Sequence, residues 1–103
     1  MGKRYKVTIS ERSRQMLGAH VRFMAGKSVS AARETQKQIL EAIRSLHTMP
    51  ARFPFLADDY IPPNKYRKMF VKNWYLVLYQ IREDTVYVEY IVDCRQDYSW
   101  LIH

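Results

Sequence analysis

The sequence is poor in cysteine and glycine and has no long apolar run. Its one cysteine, Cys94, cannot form a disulfide within the chain, which favours a reducing compartment. Three glycines make no phosphate-cradling loop, and no His/Cys spacing suits a metal site. The longest apolar run, residues 74–79, is far shorter than the roughly 20 residues of a membrane span, and the basic N-terminus does not resemble a secretory signal. We therefore expect a cytoplasmic protein without membrane association, metal or cofactor.

Acidic residues are scarce relative to basic ones. The 103 residues include 17 Lys/Arg and 10 Asp/Glu, giving a net charge of +7. Residues 1–52 carry 11 basic and 3 acidic side chains, whereas residues 53–103 carry 6 and 7. The excess favours an acidic partner such as nucleic acid, although a solvated basic surface has the same composition. With 48% hydrophobic residues, we expect one folded domain over residues 1–103.

The first half of the chain has the pattern of a strand followed by two helices. Residues 4–9 alternate between polar and apolar, as a strand does. A first helix is predicted over about 11–25, and a second from Ser28 or Ser30 to about His47. Their apolar residues recur every three or four positions, and the joint between them is short, so we expect an antiparallel helical hairpin.

The second half has the pattern of three antiparallel strands. They are predicted at about residues 65–72, 74–82 and 85–94, with Lys72-Asn73 and Glu83-Asp84 at the two tight turns. The predicted order is β-α-α-β-β-β. This is an α+β fold with the helical hairpin packed on one face of a small antiparallel meander.

Strict alternation along the last strand assigns its side chains to two faces. One face, expected to lie under the helices, carries Val86, Val88, Tyr90, Val92 and Cys94. The other face is mixed, and we expect it to be open: Tyr87, Glu89, Ile91, Asp93 and Arg95.

Four cations of the meander are candidates for a shared site. Arg67, Lys68 and Lys72 lie in or beside its first strand, and Arg95 lies where its last strand ends. We expect Arg67 and Arg95 to flank a concave face about 10 Å apart, since they lie two strand spacings from each other in such a sheet. That span is comparable to one or two nucleotides. Guanidinium groups bind phosphate with two hydrogen bonds and can stabilise the extra charge on a five-coordinate phosphorus. Alternatively, these cations protect an edge strand from aggregation.

Aromatic residues near these cations offer surfaces for bases. Tyr75, Tyr87 and Tyr98 are the candidates, because bases stack on such rings without strong sequence preference. Aromatic residues in short strands are also common in the core. We expect Tyr98 to share a site with Arg95, and Asp97 to orient that guanidinium or to act as a base.

Three segments of the second half are informative: Tyr66-Arg67-Lys68-Met69-Phe70-Val71-Lys72-Asn73, Tyr75-Leu76-Val77-Leu78-Tyr79 and Val92-Asp93-Cys94-Arg95-Gln96-Asp97-Tyr98. They resemble the RelE/ParE superfamily of bacterial toxins, which belong to type II toxin–antitoxin modules and are often labelled plasmid-stabilisation proteins. The resemblance implies a toxin that arrests growth and is held inactive by a cognate, acidic antitoxin. RelE-like members cut messenger RNA in the ribosomal A site, whereas ParE-like members poison DNA gyrase and are not nucleases.

The first hypothesis is therefore a ribosome-dependent, metal-independent mRNA endonuclease. By this resemblance Arg67 and Arg95 would stabilise the phosphorane, and Lys68 or Lys72 would hold the backbone or assist proton transfer. Tyr98 would position a base or the scissile group. Placing the 2′-hydroxyl in line would supply much of the acceleration.

Two alternatives remain open. The first is a gyrase inhibitor without catalytic activity, favoured because Leu76 occupies the position where the nuclease branch often has arginine. The second is a degenerate toxin that survives as an antitoxin-bound regulator.

Overall fold

The computed structural model describes residues 2–57 and 59–95, and its elements follow the predicted order. Short 3₁₀ turns at Ser45–His47 and Pro50–Arg52 follow the second helix. None of the helices in these two ranges is long and apolar enough to cross a membrane. The regular elements are β1 (Lys6–Ile9), α1 (Glu11–Ala25), α2 (Val29–Arg44), β2 (Arg67–Val71), β3 (Tyr75–Arg82) and β4 (Thr85–Asp93).

Serine side chains start both helices. The Ser10 hydroxyl accepts a hydrogen bond from the Ser13 amide, and the Ser28 hydroxyl accepts one from the Ala31 amide. Ser28 is therefore the cap of α2, rather than Ser30. The two helices pack on each other and on the sheet, and the residues that α2 buries recur at the predicted spacing of three or four positions: Ala32, Thr35, Ile39 and Ile43.

The four strands form one sheet in the order β1-β4-β3-β2. β2, β3 and β4 make the predicted antiparallel meander, and β1 pairs in parallel with β4. Parallel neighbours need a long crossover, which the helical hairpin and the first part of the meander provide. The tight turns use left-handed backbone at Lys72 (φ 58°), Asn73 (φ 69°) and Glu83 (φ 54°).

A β-bulge at Glu89 interrupts the alternation of β4. Leu78 of β3 pairs with Tyr90, but the next residue, Tyr79, pairs with Val88. Glu89 therefore has no partner of its own in the ladder. One extra residue reverses the side-chain alternation of everything that follows it in the strand.

The assignment of β4 side chains to the two faces of the sheet is correct as far as Val88 and wrong for the residues after it. Ile91 and Asp93 are buried on the side of the helices, where the prediction put Tyr90 and Val92. The simple alternation failed because nothing in the apolar pattern marks a bulge at Glu89. The consequence for function is that a carboxylate expected at the open face lies under the helices.

The face of the sheet that lies away from the helices is also partly covered. Leu56 and Tyr66, from the loop before β2, pack against Leu76, Leu78 and Val92 to form a second apolar cluster. β3 is therefore buried on both faces from residue 75 to residue 79, which explains its continuous apolar sequence. The face expected to be open is narrower than the sequence suggests.

Tyr79 ties the centre of the sheet to the turn at Pro50. Its buried hydroxyl donates a hydrogen bond of 2.6 Å to the Pro50 carbonyl. Burial raises the pKa of Tyr79 to about 12, so the hydroxyl remains a donor at neutral pH.

Replacing Tyr79 by Phe should lower the free energy of unfolding by about 1–2 kcal/mol at pH 7, because the buried carbonyl loses its partner. Urea denaturation followed by circular dichroism measures the change. Tyr87→Phe, at an exposed tyrosine of the same sheet, is the matched control and should stay within about 0.5 kcal/mol of the parent. Equal losses in the two variants would contradict the assignment.

Candidate functional site

The two arginines predicted to share one phosphate lie at opposite ends of the sheet. Arg67 starts β2 and pairs with Tyr79, whereas Arg95 follows Asp93, which pairs with Tyr75. β2 and β4 are both antiparallel to β3, so the start of β2 and the end of β4 cannot meet. Four residues of β3 separate the two positions, about 13 Å along the strand, and further strand spacings add to this. The predicted convergence at about 10 Å is therefore wrong.

Arg95 is held in one orientation by three neighbours. Its Nε lies 3.1 Å from Asp93 Oδ1 and its Nη2 3.1 Å from Oδ2, and its backbone amide donates to Oδ1 at 2.9 Å. The guanidinium also lies 4.5 Å from the centre of the Trp74 ring, and Nη2 donates to the Tyr75 hydroxyl at 3.4 Å. The Arg95 side chain is 46% exposed and that of Asp93 only 3%. A surface cation is thus anchored to a buried anion.

The protonation of Asp93 depends on Arg95. Burial alone raises the pKa of Asp93, but hydrogen bonds from the side chain and backbone of Arg95 outweigh it and leave the pKa below its ordinary value. The same hydrogen bond raises the pKa of Arg95. The pair is therefore ionised at neutral pH, and much of the charge that Arg95 would offer to a phosphate is already compensated.

His20 of α1 packs against the end of β4, close to Asp93. Its Nε2 lies 2.9 Å from the Ile91 carbonyl oxygen, and its ring centre is 5.8 Å from that of Tyr75. His20 is buried, at 8% exposure, so it is part of the packing between α1 and the sheet. Helix α1 is thereby joined to the strand end that carries Asp93.

The remaining predicted nucleic-acid contacts divide between the two ends of the sheet. Lys72 is exposed in the turn before β3, at the Arg95 end. Tyr75 is 1% exposed, so its ring has no free face on which a base can stack, and that prediction is wrong. Tyr87 is 38% exposed and pairs with Gln80, so it lies at the same end of the sheet as Arg67. The guanidinium carbon of Arg82 is 5.7 Å from the centre of the Tyr87 ring.

Lys68 does not point to the same face as Arg67. Neighbouring strand residues face opposite sides, and Lys68 pairs with Leu78 whereas Arg67 pairs with Tyr79. The two cations therefore face different surfaces and cannot act together on one substrate group. Tyr98 and Asp97, the other two predicted members, lie outside the described residues.

Sequence reasoning did not include Asp93 in the site, and it considered Trp74 only as one of several aromatic faces near the cations. With Tyr75, these two residues hold Arg95. The sequence shows that Asp93 and Arg95 are two residues apart at a strand end. Because the bulge was not recognised, strict alternation assigned Asp93 to the open face. Trp74 is 48% exposed and sits in the turn directly before β3. In the part of the chain that the structure describes, no group of His, Cys, Asp and Glu could hold a metal ion.

Replacing Asp93 by Asn should lower the free energy of unfolding by about 1.5–3 kcal/mol at pH 7, because a charge-assisted double hydrogen bond is lost. The pKa of Asp93 is lower in the folded protein than its ordinary value of 3.8 in the unfolded chain. The stabilisation by the ionised carboxylate is therefore fully present above pH 3.8 and is lost as the pH falls through the lower, folded-state pKa. Urea denaturation from pH 7 to pH 2 measures both effects.

Asp84→Asn is the matched control, since Asp84 is an exposed acid that accepts a bond from Thr85. Its effect should stay within about 0.5 kcal/mol. A difference between parent and Asp93→Asn that persists unchanged at pH 2 would contradict the ionised pair.

The comparisons with known proteins agree with this fold. A family model described as "ParE toxin of type II toxin-antitoxin system, parDE" matches residues 7–98. A solved structure, "Chromosomal ParDE TA system from P. aeruginosa", superposes with a TM-score of 0.74 at 11% identity, covering 88% of this chain and 97% of that chain. A search of curated protein sequences found no match. The family match spans most of the chain, and the chain therefore belongs to the ParE toxin family of type II toxin–antitoxin systems, whose members pair with an antitoxin protein.

Proposed function

We propose that this toxin arrests growth by binding DNA gyrase, and that it does not cut RNA. The observation that carries the proposal is the separation of Arg67 and Arg95 along the sheet. Stabilising one five-coordinate phosphorus with two guanidinium groups requires both to lie against the same phosphate. Groups at the two ends of β3 do not meet that requirement.

The Arg95 end is also poorly equipped for acid–base catalysis. The Arg95 charge is compensated by Asp93, and that carboxylate is buried and engaged in three hydrogen bonds. Burial and the neighbouring Asp93 raise the pKa of Tyr75, so its hydroxyl does not ionise near neutral pH. A general acid or base works best when its pKa is near the operating pH.

The family match and Leu76 support the gyrase branch. ParE-like members of the superfamily are the ones that poison gyrase, and the matching family model is that of ParE. Leu76 occupies the position where the nuclease branch often has arginine, and it is fully packed in the second apolar cluster with Leu56 and Val92. An arginine there would bury an unpaired charge.

The Trp74–Arg95 surface, defined as the exposed faces of those two side chains, is the proposed contact with the target. Tryptophan and arginine are enriched among the residues that dominate protein interfaces. Because Asp93 and Tyr75 already hold the guanidinium, little side-chain entropy is lost when a partner binds there.

The ribonuclease alternative keeps one supporting observation. Within residues 2–57 and 59–95, the Arg67 guanidinium donates only to the carbonyl oxygens of Ala51 and Phe53, and no carboxylate pairs with it. Its charge is therefore available to an anion, although it stands far from Arg95.

Induction of the toxin alone should inhibit gyrase and leave messages uncut. Supercoiling by purified gyrase with added toxin, gyrase-dependent DNA breaks and an SOS response measure the first effect, and primer extension on cellular messages measures the second. Discrete codon-linked cuts with undisturbed supercoiling would contradict the proposal and support the endonuclease. Absence of any growth effect would support the regulator.

Trp74→Ala should weaken gyrase inhibition at least tenfold, because it removes the aromatic half of the proposed contact while costing little stability at an exposed position. The matched control is Tyr87→Ala, which removes an exposed aromatic that also lies beneath an arginine, Arg82, at the other end of the sheet. Inhibition curves with purified gyrase and melting temperatures separate binding from folding. Equal losses of inhibition in both variants would contradict a contact at Trp74.

A further inference from the structure

A cavity of about 360 Å³ opens beside the start of β2, away from the Trp74–Arg95 surface. Its wall includes Tyr5 from the segment before β1, Phe55 and Lys65 from the loop before β2, and Arg67. This volume lies within the range of small-molecule sites and exceeds what a lone inorganic anion requires. The proposed action on gyrase does not use this cavity.

Arg67 is fixed at the cavity without losing its charge. Its Nη1 donates to the carbonyl oxygens of Phe53 (2.7 Å) and Ala51 (3.2 Å), and its guanidinium carbon lies 4.0 Å from the centre of the Phe55 ring. Carbonyl oxygens and an aromatic ring orient a guanidinium but carry no formal negative charge to cancel it. This differs from Arg95, whose charge is compensated by Asp93.

Lys65 adds a second cation to the same wall. Its Nζ lies 5.3 Å from the Tyr66 ring, and its side chain is exposed. Among the described residues that line the cavity, none is acidic. Two cations on a concave wall without acidic neighbours attract an anion, and guanidinium and ammonium groups together suit the oxygens of a phosphate.

We propose that this cavity binds a nucleotide through its phosphate, with Arg67 and Lys65 as the phosphate ligands. The rings of Tyr5 and Phe55 supply the apolar faces that a nucleobase requires, and a base can stack on such rings without strong sequence preference. The phosphate belongs either to a free nucleotide or to a nucleic-acid strand, which present the same chemistry to the two cations. The cavity is a binding site rather than a second catalytic centre.

Titration of the purified full chain with 5′-AMP, adenosine, inorganic phosphate and the dinucleotide ApA tests the proposal, with calorimetry or amide NMR shifts as the readout. AMP should bind at least tenfold more tightly than adenosine, with shifts at Arg67 and Lys65. No binding of AMP at concentrations of about 10 mM, or equal binding of AMP and adenosine, would overturn it. ApA binding as tight as AMP supports the site with a nucleic-acid strand as the source, and binding of AMP alone supports it with a free nucleotide.

Two variants keep the test independent of folding. Lys65→Ala removes a cation whose only described contact is with the Tyr66 ring, and Arg67→Lys keeps the charge but loses the planar fork. Each should lower AMP affinity about three- to tenfold, and Lys65→Ala should do so with an unchanged melting temperature. Arg82→Ala, at a cation outside the cavity wall, is the control and should bind AMP as the parent does. Equal affinity in all four proteins would overturn the assignment.

Discussion

The direction of the strands is the constraint on which every functional argument here depends. β2 and β4 both run antiparallel to β3, so the cation that starts β2 and the cation that follows β4 are placed at opposite ends of the sheet. The bulge at Glu89 adds a second constraint, because it turns Asp93 toward the helices. Asp93 is buried there and holds Arg95, while His20 of α1 packs against the same strand end. Topology thus gives the toxin two separate arginine surfaces.

These two surfaces differ in electrostatics as well as in position. The charge of Arg95 is compensated by the buried Asp93 carboxylate, and its guanidinium packs against the Trp74 ring. This arrangement suits recognition of a protein surface. Arg67 is oriented by carbonyl oxygens and a phenyl ring, keeps its charge and has Lys65 beside it, which suits an anion. The two proposed sites, a protein-binding surface and an anion-binding cavity, therefore occupy separate parts of one small sheet.

Much of the fold follows from local sequence signals. The serine before each helix, the three- and four-residue apolar spacing of α2 and the two turn dipeptides are local, and they predicted the element order and bounds closely. The pairing of β1 with β4 is non-local, and the bulge at Glu89 has no apolar signature, so neither was accessible. The predicted convergence of Arg67 and Arg95 failed for a different reason: the antiparallel meander was predicted correctly, but its strand directions, which put the two arginines at opposite ends, were ignored. Asp93 was placed on the wrong face because the bulge was not recognised.

A double-mutant cycle between Arg67 and Arg95 tests the separation of the two surfaces most directly. The variants Arg67→Lys, Arg95→Lys and the double variant keep the charges and remove the guanidinium geometry. The measured quantity is the toxin concentration that halves growth, corrected for expression. Groups more than 7–10 Å apart without shared partners act additively, so the two free-energy changes should sum to within about 0.5 kcal/mol. A coupling above about 1 kcal/mol would mean that both arginines act on one group, and it would contradict this account.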